Sequence, residues 1–218
     1  MDLIPQLALA AGLAWGAGLR LYAVVFLAGI AGRMGWIELP GSLAYLGNDG
    51  VLWVAGAFLL LEFLADKIPM VDSAWDALQT FIRIPGAMVL AWGALGEQGE
   101  ALQFAAALLG GSIAGVTHLG KAGTRALINH SPEPFSNGIA SFFEDGLVIG
   151  GLWLAMTHPW VFLVLLALFL ALLVWLTSMG VFLTHPLERL PLYFANRYLV
   201  LDATSLLFLV VVNTVFLG

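Results

Sequence analysis

The stretch QLALAAGLAWGAGLRLYAVVFLAGI, residues 6–30, holds a single charge, Arg20, and no proline. About 20 predominantly apolar residues suffice for a helix to cross a bilayer, so this run is long enough to span with tilt. The chain around it has the same character. Of its 218 residues, 61% are hydrophobic and only 10% charged, with a mean hydropathy of +0.97. A soluble domain carries roughly 25% charged residues, so this chain lacks the polar surface to coat a body in water. A start that holds Asp2 and no basic run argues for a retained first span rather than a secretory leader.

Outward from residues 6–30, the apolar stretches divide at polar punctuation. They predict further helices over 49–66, 72–96, 101–120, 138–157, 159–183 and 198–217. The expected fold is an all-α polytopic membrane protein of about seven transmembrane helices in a single domain. The third segment is ambiguous, because Asp72, Asp76, Gln79 and Arg83 form a polar stripe and Pro85 follows. It reads either as one broken span or as an interfacial helix before a short span.

Orientation follows from Lys and Arg. Lys67, Lys121, Arg125, Arg189 and Arg197 fall on one side of the predicted spans and Arg33 alone on the other. This places the N-terminus in the cytoplasm and the C-terminus outside.

An internal repeat is also expected. Helix 1 carries Gly12-x-x-x-Gly16 and ends on a Gly-rich run with Arg33; helix 4 carries Gly111-x-x-x-Gly115 and ends on a Gly-rich run with Arg125. Asp49-Gly50 opens the next helix in one case and Asp145-Gly146 in the other. The two openings face opposite sides, so residues 1–98 and 99–184 read as inverted repeats, with 185–218 as an appended C-terminal helix. Many secondary transporters place their sites at such a repeat interface.

Charges inside spans cost roughly 2.5–3.5 kcal/mol each even on insertion scales, and they commonly mark function. Glu62 and Asp66 lie one turn apart, Asp72, Asp76, Gln79 and Arg83 share a stripe, and His118, Lys121, Arg125 and Asn129 form another. Glu144 and Asp145 follow. From Glu62 to Asp145 the acids Glu62, Asp66, Asp72, Asp76, Glu133, Glu144 and Asp145 outnumber the bases Lys67, Arg83, Lys121 and Arg125. One reading makes these groups structural ion pairs or residues in headgroup water. The other makes them a cation or proton site whose bases meet an anionic substrate or lipid headgroup. In that second reading Asp49 is the counterpart of Asp145 and is placed to reach Arg20.

The segment from Asn129 to Asn137 contains Pro132 and Pro134, which predict an extended turn with Ser136 or Asn137 capping the next helix. Asn129, Glu133 and Asn137 are carried as binding candidates, since such a loop is able to line a cavity. A net charge of −6 argues against nucleic acid, and the absence of Cys removes disulfides and thiol chemistry. The four His show no metal-ligand spacing, and neither a GxSxG nor a P-loop motif is present.

The runs LEFLADKIPMVDSAWD over 61–76 with FIR after it, and KAGTRALINHSPEPFSN over 121–137, resemble a bacterial integral membrane family. It is the one catalogued as domain of unknown function 4126. The resemblance covers most of residues 10–155. That family's pattern has His where this chain has Gln79 and Pro where it has Ile84. Glu62-x-x-x-Asp66-Lys67 is also similar, at one residue longer and without the glycine, to the Glu-x-Gly-Asp-Lys motif of cation/proton exchangers. The family resemblance implies the inner, cytoplasmic membrane and a residue set, with no reaction and no cofactor attached. The leading expectation is a small transporter or channel-like protein for an ion or small solute. An enzyme or translocase acting on a lipid-phosphate headgroup, or a non-transporting scaffold, are the alternatives. Membrane lipid is the expected partner, with self-association into a homo-oligomer open.

Overall fold

A computed structural model describes residues 2–65, 69–96, 98–128 and 134–184, with some side chains near those boundaries left out. The described residues are helical, with no strand. The chain divides into two compact units, Met1–Leu166 and Ala167–Gly218. Residues 167–184 of the second are helical, and the helix expected over 198–217 lies outside the described residues.

Among the described residues six α-helices follow in order: α1 (Leu3–Arg33), α2 (Asp49–Ala65), α3 (Pro69–Ala94), α4 (Glu100–Ile128), α5 (Pro134–Thr157) and α6 (Pro159–Thr184). A short 3-10 helix, Gly41–Gly47, joins α1 to α2. Proline starts α3, α5 and α6, where its missing N–H is harmless. Asn48 caps α2, its Oδ1 accepting the Gly50 N–H at 2.9 Å. At the end of α1, Gly35 has φ +70, while the N–H groups of Gly35 and Trp36 donate to the carbonyls of Gly32 and Ala31. This is the Schellman closure that glycine permits.

The boundaries differ from the sequence reading in three places. α4 continues past 120 to Ile128, so the stripe with Lys121 and Arg125 lies within the helix. α5 begins at Pro134, inside the segment expected to be an extended turn, because a proline at the first helical position needs no donor. α3 is one continuous helix through Pro85.

The largest difference is in α1. Arg20 has φ −150 and ψ 86, a non-helical conformation in the middle of the helix. Val24 Cγ2 lies 2.7 Å from where a Gly16 Cβ would stand. In a straight helix residues eight apart are separated by about 12 Å. The chain therefore doubles back at Arg20, and α1 is a helical hairpin rather than the straight rod expected over 6–30. Contacts at the ends agree. Gln98 Nε2 donates to Gln6 Oε1 at 2.9 Å, near the start of α1. Ser42 Oγ, beyond its end, donates to the Gly93 carbonyl at 2.6 Å. Both ends of the hairpin thus meet the C-terminal end of α3.

The first arm packs against α4 and α5. A side chain at Gly18 would meet the Ala114 carbonyl at 2.6 Å, so only glycine lets these two backbones approach. Further along, Trp15 fills the space over Gly151, and its ring meets Phe162 edge-on at 6.1 Å. The second arm packs against α2 and α3, with Tyr22 stacked on Phe58 at 4.8 Å and Leu21 over Gly86.

Candidate functional site

The turn of the hairpin carries Arg20 to the point where α2, α3, α4 and α5 all present charge. Arg20 is fully buried. Its Nε pairs with Asp145 Oδ1 at 2.6 Å, and its Nη2 donates to Ser141 Oγ at 2.8 Å and lies 3.6 Å from Glu144 Oε2. On α4, Arg125 grips the same Glu144 with two parallel bonds, Nε to Oε1 and Nη2 to Oε2, each 2.9 Å. Such a fork fixes the carboxylate's orientation as well as its charge.

Lys121, one turn before Arg125, links this cluster to a second. Its Nζ lies 3.4 Å from Glu144 Oε2 and 3.4 Å from Asp76 Oδ1, and donates to the Leu19 carbonyl at 3.3 Å. The second cluster centres on Arg83 of α3, also fully buried. Arg83 Nη1 donates to Asp76 Oδ1 at 3.0 Å and meets His118 Nδ1 at 2.8 Å, while Nη2 pairs closely with Glu62 of α2. The other nitrogen of His118 meets Thr80 Oγ1 at 2.7 Å. An ion-pair chain therefore runs Glu62–Arg83–Asp76–Lys121–Glu144–Arg20–Asp145, with Arg125 alongside, and ties together five helices.

The four acids in this chain match its four bases. Of the seven acids counted in the sequence, the side chains of Asp66, Asp72 and Glu133 are not among those described, and Arg20, which that count left out, supplies the fourth base. Asp66, Lys67, Asn129 and Glu133 lie outside the described residues, as do the side chains of Asp72 and Asn137. Glu62, Asp76, Arg83, Lys121, Arg125, Glu144 and Asp145 do converge. Helices α2 and α5 also meet, with Phe63 and Phe142 edge-on at 5.9 Å.

Asp49 is a correction. It pairs with Arg33 in an exposed position, away from Arg20. The doubling of α1 is the reason: Asp49 stands beside the end of the second arm, whereas Arg20 is at the turn. Sequence reasoning placed His118 on the α4 stripe and Arg20 within reach of Asp49 without carrying either as a binding candidate, and it passed over Thr80 and Ser141. The signal for Arg20 was present, as the lone charge in residues 6–30.

Buried acceptors remain beside the network. Asp76 Oδ2, Gln79 Oε1 and Thr117 Oγ1 have no hydrogen-bond partner among the described residues. Gln79 lies near the hairpin, its Nε2 donating to the Tyr22 hydroxyl at 3.4 Å. Among the described residues no group of three or more His, Asp or Glu is arranged to hold a metal ion.

Residues 7–179 match the family described as Domain of unknown function (DUF4126). The chain belongs to that family. The DUF4126 match runs from the first arm of α1 into α6 and takes in every member of the ion-pair chain. No curated protein and no solved structure matches this DUF4126 chain.

Proposed function

We propose that the chain is a multi-pass membrane protein that conducts or transports an ion or small solute through the bundle around the Arg20–Lys121–Asp76 network. The observation that carries the reading is the inside-out distribution of polarity. Glu62, Asp76, Arg20, Arg83, Lys121 and Arg125 are buried, while Trp53, Leu60, Leu61, Phe104, Leu109, Ile139 and Phe143 are exposed. Water would reverse that arrangement; a lipid solvent favours it. Among the described residues α4, α5 and α6, and α1 only if its two arms are counted end to end, are long and apolar enough to cross a membrane, with the bent pair Gly41–Gly47 and Asp49–Ala65 as a further candidate. The belt of exposed apolar side chains is where membrane lipid, or a second copy of the chain, would sit.

Transport is favoured over a purely structural network by two features. Buried ion pairs are rarely more stabilising than apolar packing, so eight such charges suit a task other than holding helices together. A helix broken inside a bundle, with polar groups at the break, is the arrangement in which transporters bind ions. Asp76 Oδ2 and Thr117 Oγ1 supply acceptors there for a proton, water or cation. The lipid-phosphate reading is weaker, because Arg83 and Arg125 already hold carboxylates that a phosphate would have to displace. The inverted repeat is kept as a proposal about helix ends. Arg33–Asp49 joins α1 to α2 as Arg125–Glu144 joins α4 to α5.

The test is flux in proteoliposomes loaded with a pH-sensitive dye, under imposed proton, sodium and potassium gradients. Flux carried by the intact chain and lowered at least tenfold by Asp76→Asn, with the variant still folded, supports the proposal. Equal leak in the intact chain, in Asp76→Asn and in empty vesicles for every ion would refute ion transport and leave a solute screen against a deletion strain's metabolites to decide.

A further inference from the structure

We infer that α1 does not cross the membrane but enters and leaves it on one face, delivering Arg20 to the buried network as the tip of a re-entrant hairpin. This rests on the membrane reading above and adds a topology that the sequence does not announce. The lengths fit. The arm over residues 3–19 extends about 25 Å as helix, against a hydrocarbon core of about 30 Å, so the tip reaches past the midplane without emerging.

Direction along the neighbours fixes the fold-back. Down the first arm, Gly12 meets Ala155, Gly16 meets Leu152 and Arg20 meets Ser141, so this arm runs antiparallel to α5. Up the second arm, Phe26 meets Gly56, Gly29 meets Leu52 and Arg33 meets Asp49, so it runs antiparallel to α2. The start of α2 and the end of α5 therefore share one face of the bundle. The α3–α4 connection belongs to that face too, as Gln98 meets Gln6.

Helices α2 to α6 then make the crossings. The opposite face receives the end of α4, with Lys121 and Arg125, and the end of α2 at Ala65. The basic bias makes that face cytoplasmic. The N-terminus falls outside, beside Arg33, in place of the cytoplasmic position that a straight helix 1 requires. Non-helical backbone at membrane depth is tolerated only where protein or a polar cavity surrounds it, and at Arg20 the surrounding groups are Ser141, Glu144, Asp145 and Lys121.

The absence of Cys makes the test direct. Single variants Asp2→Cys, Met34→Cys, Gly99→Cys and Ser131→Cys in the full chain are labelled in intact cells with a membrane-impermeant maleimide, before and after permeabilisation. The expected result is that Asp2→Cys labels from the same face as Met34→Cys and Gly99→Cys, and Ser131→Cys from the other. Labelling of Asp2→Cys together with Ser131→Cys, opposite Met34→Cys, overturns the hairpin while leaving the membrane reading intact. Labelling of all four from a single face overturns both.

Discussion

The Nζ of Lys121 donates to the carbonyl oxygen of Leu19 at 3.3 Å, at the residue that precedes the break in α1. In an unbroken helix that carbonyl would accept from the N–H of Ala23. A side chain from α4 has taken the place of a backbone donor, and so Lys121 does more than balance Asp76 and Glu144. It caps the first arm of the hairpin.

Lys121→Met should accordingly destabilise the fold by about 3–5 kcal/mol, as removal of one partner from a buried charge network does. Thermal unfolding in a mild detergent is the check. The double variant Lys121→Met with Asp76→Asn should recover part of the loss, since it no longer buries a carboxylate deprived of its base. A double variant no more stable than the single one would mean that Asp76 depends on Arg83 alone.

Arg125→Lys tests the fork on Glu144. A lysine keeps the charge but offers one contact where the guanidinium makes two. We expect a loss of about 1.5–3 kcal/mol, the scale of a hydrogen bond to a charged group, read by the same melting experiment. Asp49→Asn is the contrast. Its pair with Arg33 is solvent-exposed, at 74% and 53% relative accessibility, and should contribute less than about 1 kcal/mol.

Two glycines on α1 and α4 should respond with opposite signs. Gly18→Ala puts a methyl 2.6 Å from the Ala114 carbonyl and should lower stability by about 1–3 kcal/mol. Gly123→Ala meets nothing within 4 Å and should be neutral or raise stability by up to about 1 kcal/mol, as alanine is the better helix former. Equal effects at the two sites would show that α1 and α4 do not approach as closely as Gly18 requires.

A charge exchange probes the tip. Arg20→Asp alone should fail to accumulate as folded protein, because it adds a third acid beside Glu144 and Asp145. Arg20→Asp combined with Asp145→Arg should restore part of the yield, measured as monodisperse protein on size-exclusion chromatography. No recovery would place the importance of Arg20 in its bond to Ser141 rather than in its charge.

The helices were legible because apolar length is enough to mark them, and α2, α4 and α6 begin within a residue of where the sequence places them. The convergence of Glu62, Asp76, Arg83, Lys121, Arg125 and the Glu144–Asp145 pair was legible too, since none of these groups is suited to face lipid. The hairpin was not. Nothing local marks Arg20 as a turn: it is neither proline nor glycine, and Gly12-x-x-x-Gly16 is equally at home in a straight span. The break is stabilised from a distance, by α4 and α5, and a reading along the chain has no access to partners a hundred residues away. Pro85 misleads in the reverse direction, as a residue that reads as a break and through which α3 is continuous.

The side chain of Arg20 and its acceptor Ser141 are 121 positions apart. The tip of the hairpin leaves the ribosome long before the helix that neutralises it has been made. On the membrane reading proposed above, a lone guanidinium is expensive in hydrocarbon, so the nascent α1 has no stable resting place at its final depth until α4 and α5 have been inserted. On that reading the first helix synthesised docks only after α4 and α5, and waits at the membrane interface through most of translation. A chain truncated before residue 141 should leave α1 open to proteases that the finished protein excludes.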